Sequence, residues 1–172
     1  SMGSVDSRQM ESRYLMEQVS FVFQDVYLFK QSIRDNIRLG NQNASDEQIQ
    51  AAAKAAQCHD FIMALPNGYD TIIGEQGIHL SGGEQQRIAI ARAIVKDAPV
   101  VVLDEATGFA DPENEHLIQK AFEKLMHGKT VIIIAHRLST VRNADHIIVM
   151  DHGRVAEEGS HDALLQKGGR YA

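Results

Sequence analysis

Two stretches near the middle of the chain carry residue types that bind phosphate and metal ions. Ser81, Gly82 and Gly83 open a predicted helix, and Asp104 and Glu105 directly follow a wholly apolar strand. The two glycines leave the backbone N–H groups at the helix start uncovered, where the partial positive charge of a helix favours an anion. Adjacent carboxylates suit a divalent cation. The two stretches therefore indicate a phosphate and metal site.

Two further polar residues, Gln24 and His136, also stand at the ends of predicted strands. Open parallel sheets bind ligands just beyond the carboxyl ends of their strands, so these residues and Asp104-Glu105 are expected to share one edge. Singly, each has another interpretation: Gln24 as a loop residue, the carboxylates as a helix cap, and His136 as a structural histidine. The segment Ser81–Glu84 alone is equally typical of a capped helix without a ligand. Their combination indicates a site.

The elements that must position these residues alternate between strand and helix. The predicted strands are 18–23, 100–103 and 130–135, and the last two have the β-branched composition of parallel strands covered on both faces. The predicted helices are 45–65, 81–95 and 114–126, the first two capped by serine. Residues 146–159 predict a hairpin, after which Ser160 caps a short last helix. The fold class is α/β, with a mainly helical insertion between about residues 30 and 95.

Composition limits the classes of function. The 172 residues fit one domain, and a net charge of -6 makes nucleic acid an unexpected partner. The apolar runs are too short to cross a bilayer, so any role at a membrane must come through a partner. Cys58 is the single cysteine, which excludes an intramolecular disulfide. Residues 1–4 are typical of what remains of an expression tag.

Five segments resemble the motifs of ATP-binding cassette (ABC) ATPases. "FVFQD" resembles the Q-loop, "LSGGEQQRIAIARAI" the signature motif, "VVVLDEAT" the Walker B strand, "ADPENE" the D-loop and "IIIAHRLSTV" the switch-histidine segment. They occur in the family's order and approximate spacing, and the resemblance covers the chain from about Val5. It implies a P-loop NTPase (RecA-like) parallel sheet core with an inserted α-helical signature subdomain.

The resemblance also implies a role for each site residue. Asp104 would help to hold Mg²⁺, with Gln24 approaching the metal and linking the site to a membrane partner. Glu105 would polarise the water that attacks the γ-phosphate of ATP, and His136 would contact that phosphate. The nucleotide held by a second, facing domain would be bound by Ser81, Gly82 and Gly83.

The D-loop departs from the family's common form. Gly108, Phe109 and Ala110 stand where serine, alanine and leucine are usual, while Asp111 is retained. Asp111 is therefore carried over as a residue of the nucleotide interface. The three changes bear on local contacts in the dimer and leave the family resemblance intact.

The sequence contains no G-x-x-x-x-G-K-[ST] phosphate-binding loop. Gly128-Lys129-Thr130 imitates its end, but Glu123 holds the position of the first glycine, and the predicted helix precedes the strand instead of following it. The resemblance therefore implies a domain truncated at its N-terminus: a Q-loop part (18–29), a helical subdomain (30–95) and the rest of the core (96–172). We expect this incomplete core to bind ATP weakly, to hydrolyse it at background rate and to associate through open sheet edges.

Residues 26–37 and 71–77 resemble exporter-type half-transporters. The partners this implies are the transmembrane domain of a transporter and a second nucleotide-binding domain, on the cytoplasmic side of a membrane. Two alternatives are a soluble ABC-type ATPase of the repair or translation class and a non-enzymatic interaction fragment. Coiled-coil arms or tandem cassettes, which the first of these requires, are absent from the sequence.

Overall fold

The computed structural model describes residues 5–74, 78–104, 112–135 and 138–172, without the side chains of Ser7, Pro112, Glu113 and Ser139. The chain forms two compact units that divide between Ile132 and Ile133.

All three predicted strands of the parallel sheet are confirmed. They are β1 (Val19–Val22), β2 (Val100–Asp104) and β3 (Thr130–Ile134), in the order β1-β2-β3. β1 and β2 are parallel, with Val22 opposite Leu103. The N–H of Thr130 donates to the carbonyl of Pro99 at 3.0 Å, which sets Thr130 beside Val100. β2 is therefore the central strand of the three.

The first unit also contains six α-helices within its described residues, besides two short 3-10 turns. They are α1 (Ser12–Glu17), α2 (Ile33–Arg38), α3 (Asp46–Ala55), α4 (His59–Ala64), α5 (Gly82–Lys96) and α6 (Pro112–Met126). α5 packs against α2, α3, α6 and β1, so it is the central helix of the unit. Throughout the described ranges, no helix is both long and apolar enough to cross a bilayer.

Helix α5 confirms the predicted helix over residues 81–95. Ser81 and Glu84 form the predicted capping box, and Ile88, Ile90 and Ala91 are fully buried. At the other end, the Nζ atom of Lys96 donates to the carbonyl of Val19 at 2.6 Å. The C-terminal end of α5 therefore lies at the start of β1.

The single helix predicted over residues 45–65 is wrong, because the chain breaks it between α3 and α4. Gln57 adopts a left-handed φ of 56°, and the N–H of Cys58 donates to the carbonyl of Ala53 at 2.9 Å. The N–H of Gln57 donates to the carbonyl of Lys54 at 3.1 Å. These two bonds form a Schellman motif with glutamine where glycine is usual, so the end of α3 has no marker residue in the sequence.

The expectation that the strands are covered on both faces is also wrong for the part of the chain that the structure describes. Val22, Val101 and Leu103 are buried on one face of the sheet, whereas Phe21 and Ile132 are 41% and 51% exposed. The pairing of β1 with β2 and the bond from Thr130 to Pro99 set Phe21, Val102 and Ile132 on the same face. Among the described residues, helical packing covers only the opposite face.

The segment Gly128-Lys129-Thr130 joins the end of a helix to a strand, as the sequence predicts. α6 ends at Met126, Gly128 has a φ of 70°, and β3 begins at Thr130. The Nζ atom of Lys129 lies 3.0 Å from a carboxylate oxygen of Asp97. Lys129 therefore pairs with a residue at the C-terminal end of α5 and is not part of a phosphate loop.

The second unit confirms the predicted hairpin and last helix. It consists of α7 (Leu138–Val141), β4 (Ile147–Asp151), β5 (Arg154–Gly159) and α8 (His161–Lys167), with β4 and β5 antiparallel. Ser160 caps α8, and the buried core of the unit is formed by Ile147, Leu164 and Tyr171.

Candidate functional site

The ends of β1 and β2 bring two of the predicted site residues to one edge of the sheet. Asp104 is the last residue of β2 and is half-buried, and Gln24 is exposed in the bend two residues beyond β1. Because Val22 is opposite Leu103 in a parallel pair, these two polar residues leave the sheet at neighbouring positions. Glu105, Asp111 and His136 lie outside the described residues.

This edge suits Mg²⁺ shared with a phosphate ligand better than a cage made by protein alone. The described residues contain no group of three or more His, Cys, Asp or Glu side chains that could hold a metal. Mg²⁺ is usually bound through one or two carboxylates together with substrate phosphates and water. The Asp104 carboxylate is a ligand of that kind and the Gln24 amide oxygen is a further oxygen donor, so the residues present fit the ion.

The N-terminal end of α5 carries the second predicted group. Ser81 and Gly82 are exposed, whereas Gly83 is buried. The hydroxyl and the N–H of Ser81 both donate to one carboxylate oxygen of Glu84 at 2.8 Å, and the N–H of Glu84 donates to the Ser81 hydroxyl at 3.3 Å. A phosphate oxygen that binds the Ser81 hydroxyl must therefore replace the Glu84 carboxylate.

The two groups are not linked by hydrogen bonds within the described residues. No described bond joins Ser81, Gly82 or Gly83 to Gln24 or Asp104. The α5 end instead lies against the first turn of α6, which follows β2 along the chain.

Asn36 is a site-supporting residue that the sequence did not reveal. It is fully buried on α2, and its side chain binds the loop between β1 and α2. Its Oδ1 accepts the N–H of Phe29 at 2.9 Å, and its Nδ2 donates to the carbonyls of Phe29 at 3.0 Å and Ser32 at 3.1 Å. The signal in the sequence was a polar residue on the same helix face as Ile33 and Ile37.

Arg92 of α5 binds both Asn36 and the same loop. Its Nε donates to the carbonyl of Asn36 at 2.9 Å, its Nη2 to Asn36 Oδ1 at 3.2 Å, and its Nη1 to the carbonyl of Tyr27 at 3.3 Å. Burial lowers the pKa of the Arg92 guanidinium, and these acceptors compensate for the lost water. The loop that begins at Gln24 is thus fixed to the helix that begins after Ser81.

This loop presents two aromatic side chains to solvent. Tyr27 is 70% exposed and Phe29 is 47% exposed, and their rings meet edge to face with centroids 4.9 Å apart. Exposed aromatic side chains on a fixed backbone are typical of interaction surfaces.

Comparison with known sequences decides the family. A sequence profile described as ABC transporter matches residues 1–108, which is more than half of the chain. The chain belongs to the ABC transporter family.

Named relatives of this ABC transporter chain share about half of its residues. It is 56% identical to the ATP-dependent lipid A-core flippase of Acinetobacter baylyi over 165 residues, which cover 95% of this chain and 29% of the relative. It is 53% identical to the beta-(1→2)glucan export ATP-binding/permease protein NdvA of Brucella suis biovar 1 over 167 residues, 97% of this chain and 28% of that protein. The chain thus spans less than a third of the length of these curated relatives.

A solved structure has the same fold. The structure of a bacterial Atm1-family ABC exporter with ATP bound matches the chain with a TM-score of 0.82 and 46% identity, over 92% of this chain and 28% of that one. The fold is therefore that of a P-loop NTPase-like ABC domain, as the resemblance implied.

Proposed function

We propose that this ABC transporter chain is the nucleotide-binding domain of an exporter, which couples ATP binding and hydrolysis to the passage of a substrate across a membrane. The observation that carries the proposal is the position of Gln24 and Asp104 at neighbouring ends of two parallel strands. Its relatives named as a flippase and as an export ATP-binding/permease protein support the exporter class.

The residues proposed for the catalytic site have complementary tasks. Asp104 and Gln24 would hold Mg²⁺, which neutralises negative charge on the phosphates when bound. Glu105 orients and polarises the attacking water, and His136 hydrogen-bonds the γ-phosphate. Catalysis of phosphoryl transfer rests on such positioning and on electrostatic stabilisation of spread charge, so no covalent intermediate is needed.

The α5 end serves a nucleotide held by a second nucleotide-binding domain. Ser81, Gly82 and Gly83 would bind its γ-phosphate, and Asp111 would lie at the same interface. Support comes from the exposure of Ser81 and Gly82 at a helix N-terminus that makes no described hydrogen bond with Gln24 or Asp104. The two groups thus suit two different pockets of a dimer.

The partner on the membrane side is the transmembrane domain of the transporter, which places this domain at the cytoplasmic face of the membrane. The exposed Tyr27 and Phe29 are the residues we assign to that contact, because Asn36 and Arg92 hold their backbone in place.

The given chain alone is expected to be inactive, because its sequence contains no phosphate-binding loop. ATP hydrolysis is to be measured for this chain and for a version extended upstream to include a G-x-x-x-x-G-K-[ST] segment. The extended version should show saturable, Mg²⁺-dependent hydrolysis that Glu105→Gln abolishes. Glu123→Gln, which removes an exposed carboxylate on α6, is the matched control and should leave turnover unchanged.

The possible results separate the alternatives. Hydrolysis by the given chain that disappears in Glu105→Gln would overturn the proposed inactivity. An extended version without turnover would favour the non-enzymatic interaction fragment.

We also propose that the given chain associates with itself through the exposed face of its sheet. Phe21, Phe23 and Ile132 are exposed there, and the Phe21 and Phe23 rings stack with centroids 5.7 Å apart. Sedimentation velocity should show concentration-dependent association that Phe23→Lys weakens. A monomer at every concentration would refute it.

A further inference from the structure

Gly83 is needed for a close approach between two helices, independently of any nucleotide. A Cβ atom at this position would lie 2.8 Å from Cγ, 2.9 Å from Oδ1 and 3.0 Å from Cβ of Asn114. Gly83 does not have a positive φ, so its backbone conformation is open to any residue. Glycine in a helix is less favourable than alanine, and the absent side chain is therefore explained by the position of Asn114.

Arg87 holds Asn114 in this position from the next turn of α5. Its Nη1 donates to Asn114 Oδ1 at 2.6 Å. The Arg87 side chain is only 4% exposed, and its guanidinium lies over the Phe61 ring at 5.4 Å from the centroid. A guanidinium packed in this way has little freedom to turn elsewhere. Asn114 thus sits in a notch made by Gly83 and is bonded by the residue four positions later.

The notch joins two parts of the proposed catalytic machinery. The start of α5 presents Ser81 and Gly82, whereas α6 begins directly after the segment that contains Glu105 and Asp111. We propose that Arg87 and Asn114 are positioning residues, which fix the phosphate-binding end of α5 relative to the start of α6. This inference rests on the proposed function for its effect on ATP turnover, while the notch itself does not.

The notch is tested in the given chain by a double-mutant cycle in urea. Gly83→Ala should lower the ratio of folded to unfolded chain about tenfold or more, the usual effect of overpacking. In an Asn114→Ala background, which removes the two nearest atoms, the same substitution should lower it about threefold or less. Gly82→Ala, at an exposed neighbouring glycine, controls for helix propensity and should leave the ratio unchanged or raise it.

The positioning role is tested by ATP turnover in the version extended upstream. Asn114→Ala should lower kcat per folded molecule about tenfold, with KM for ATP changed by about twofold or less, because geometry is lost and not the bulk of nucleotide binding. Asn114→Asp keeps an oxygen acceptor for Arg87 and should restore most of kcat. Gln119→Ala, at an exposed position of α6, is the control.

Each result has a distinct meaning. If Gly83→Ala lowers the ratio of folded to unfolded chain equally in both backgrounds, Gly83 and Asn114 do not form the proposed notch. A kcat for Asn114→Ala equal to that of Gln119→Ala would overturn the positioning role alone. No turnover in the unsubstituted extended version would overturn the proposed function and, with it, the positioning role, whereas the stability cycle would still decide the notch.

Discussion

Replacing Asn36 by alanine should destabilise the first unit more than any exposed polar substitution. The side chain makes four hydrogen bonds, two through Oδ1 and two through Nδ2, and is fully buried. A net contribution of about 1 kcal/mol for each bond, with more for the one from the Arg92 guanidinium, gives a loss of about 3–5 kcal/mol. Since domains are stable by about 5–15 kcal/mol, the loss is a large fraction of the total.

The assay is urea unfolding of the given chain, followed by circular dichroism. Asn36→Asp should fall between wild type and Asn36→Ala, because it keeps the acceptor for Phe29 and Arg92 but loses both donated bonds. Asn43→Ala, at an exposed position in the loop before α3, is the matched control and should change stability by about 0.5 kcal/mol or less.

Hydrogen exchange of the Phe29 amide provides a second, local measurement. That N–H donates to Asn36 Oδ1, so its protection should fall more in Asn36→Ala than the global stability does. A destabilisation within about 1 kcal/mol of the Asn43→Ala value, with the Phe29 amide still protected, would show that the Asn36 side chain does not fix this loop.

Three further results are expected. Gly40→Ala should cost about 1–3 kcal/mol, because a Cβ there would clash with the backbone oxygen of Arg92. A neutral effect by urea unfolding would contradict that close approach. Burial raises the pKa of the Cys58 thiol to about 12, so the native thiol should resist iodoacetamide. The contribution of the buried thiol to the free energy of unfolding should be complete at pH values below the unfolded-state pKa of about 8.5 and should decline as the pH rises above it. Cys58→Ala should lack this decline. Ser81→Ala and Ser45→Ala remove equivalent helix caps, so each should lower the free energy of unfolding by about 1 kcal/mol. Only Ser81→Ala should reduce ATP turnover in the extended version. Equal turnover in the two variants would argue against a phosphate contact at Ser81.

Much of the local structure could be read from the sequence because its causes are local. The serine caps at Ser45, Ser81 and Ser160 act on N–H groups three residues away, and the structure confirms all three. The apolar runs before Asp104 and after Lys129 form strands as predicted. The helices between the strands predicted that the strands are parallel. Parallel strands have their carboxyl ends at the same edge of the sheet, and this prediction placed Gln24 and Asp104 there.

The misreadings have a common physical origin in partners that are distant along the chain. Gln57 ends α3 in a left-handed conformation directly before the buried Cys58, and glutamine in that conformation leaves no mark in the sequence. The exposure of Phe21 and Ile132 depends on what packs on each face of the sheet, while the apolar pattern reports only that a strand forms.

The sequence by itself indicated the family, the strands of the sheet and the residues that we propose for the site, because motifs, caps and apolar periodicity are properties of neighbouring residues. Only the tertiary structure decided how those residues are held. Arg92 donates to Asn36, 56 positions away in the sequence, and Arg87 donates to Asn114, 27 positions away. Which acceptors a buried guanidinium binds depends on the geometry of the folded chain. The sequence pattern cannot reveal such pairings, because each of these polar residues needs a partner within the protein only when folding removes it from water.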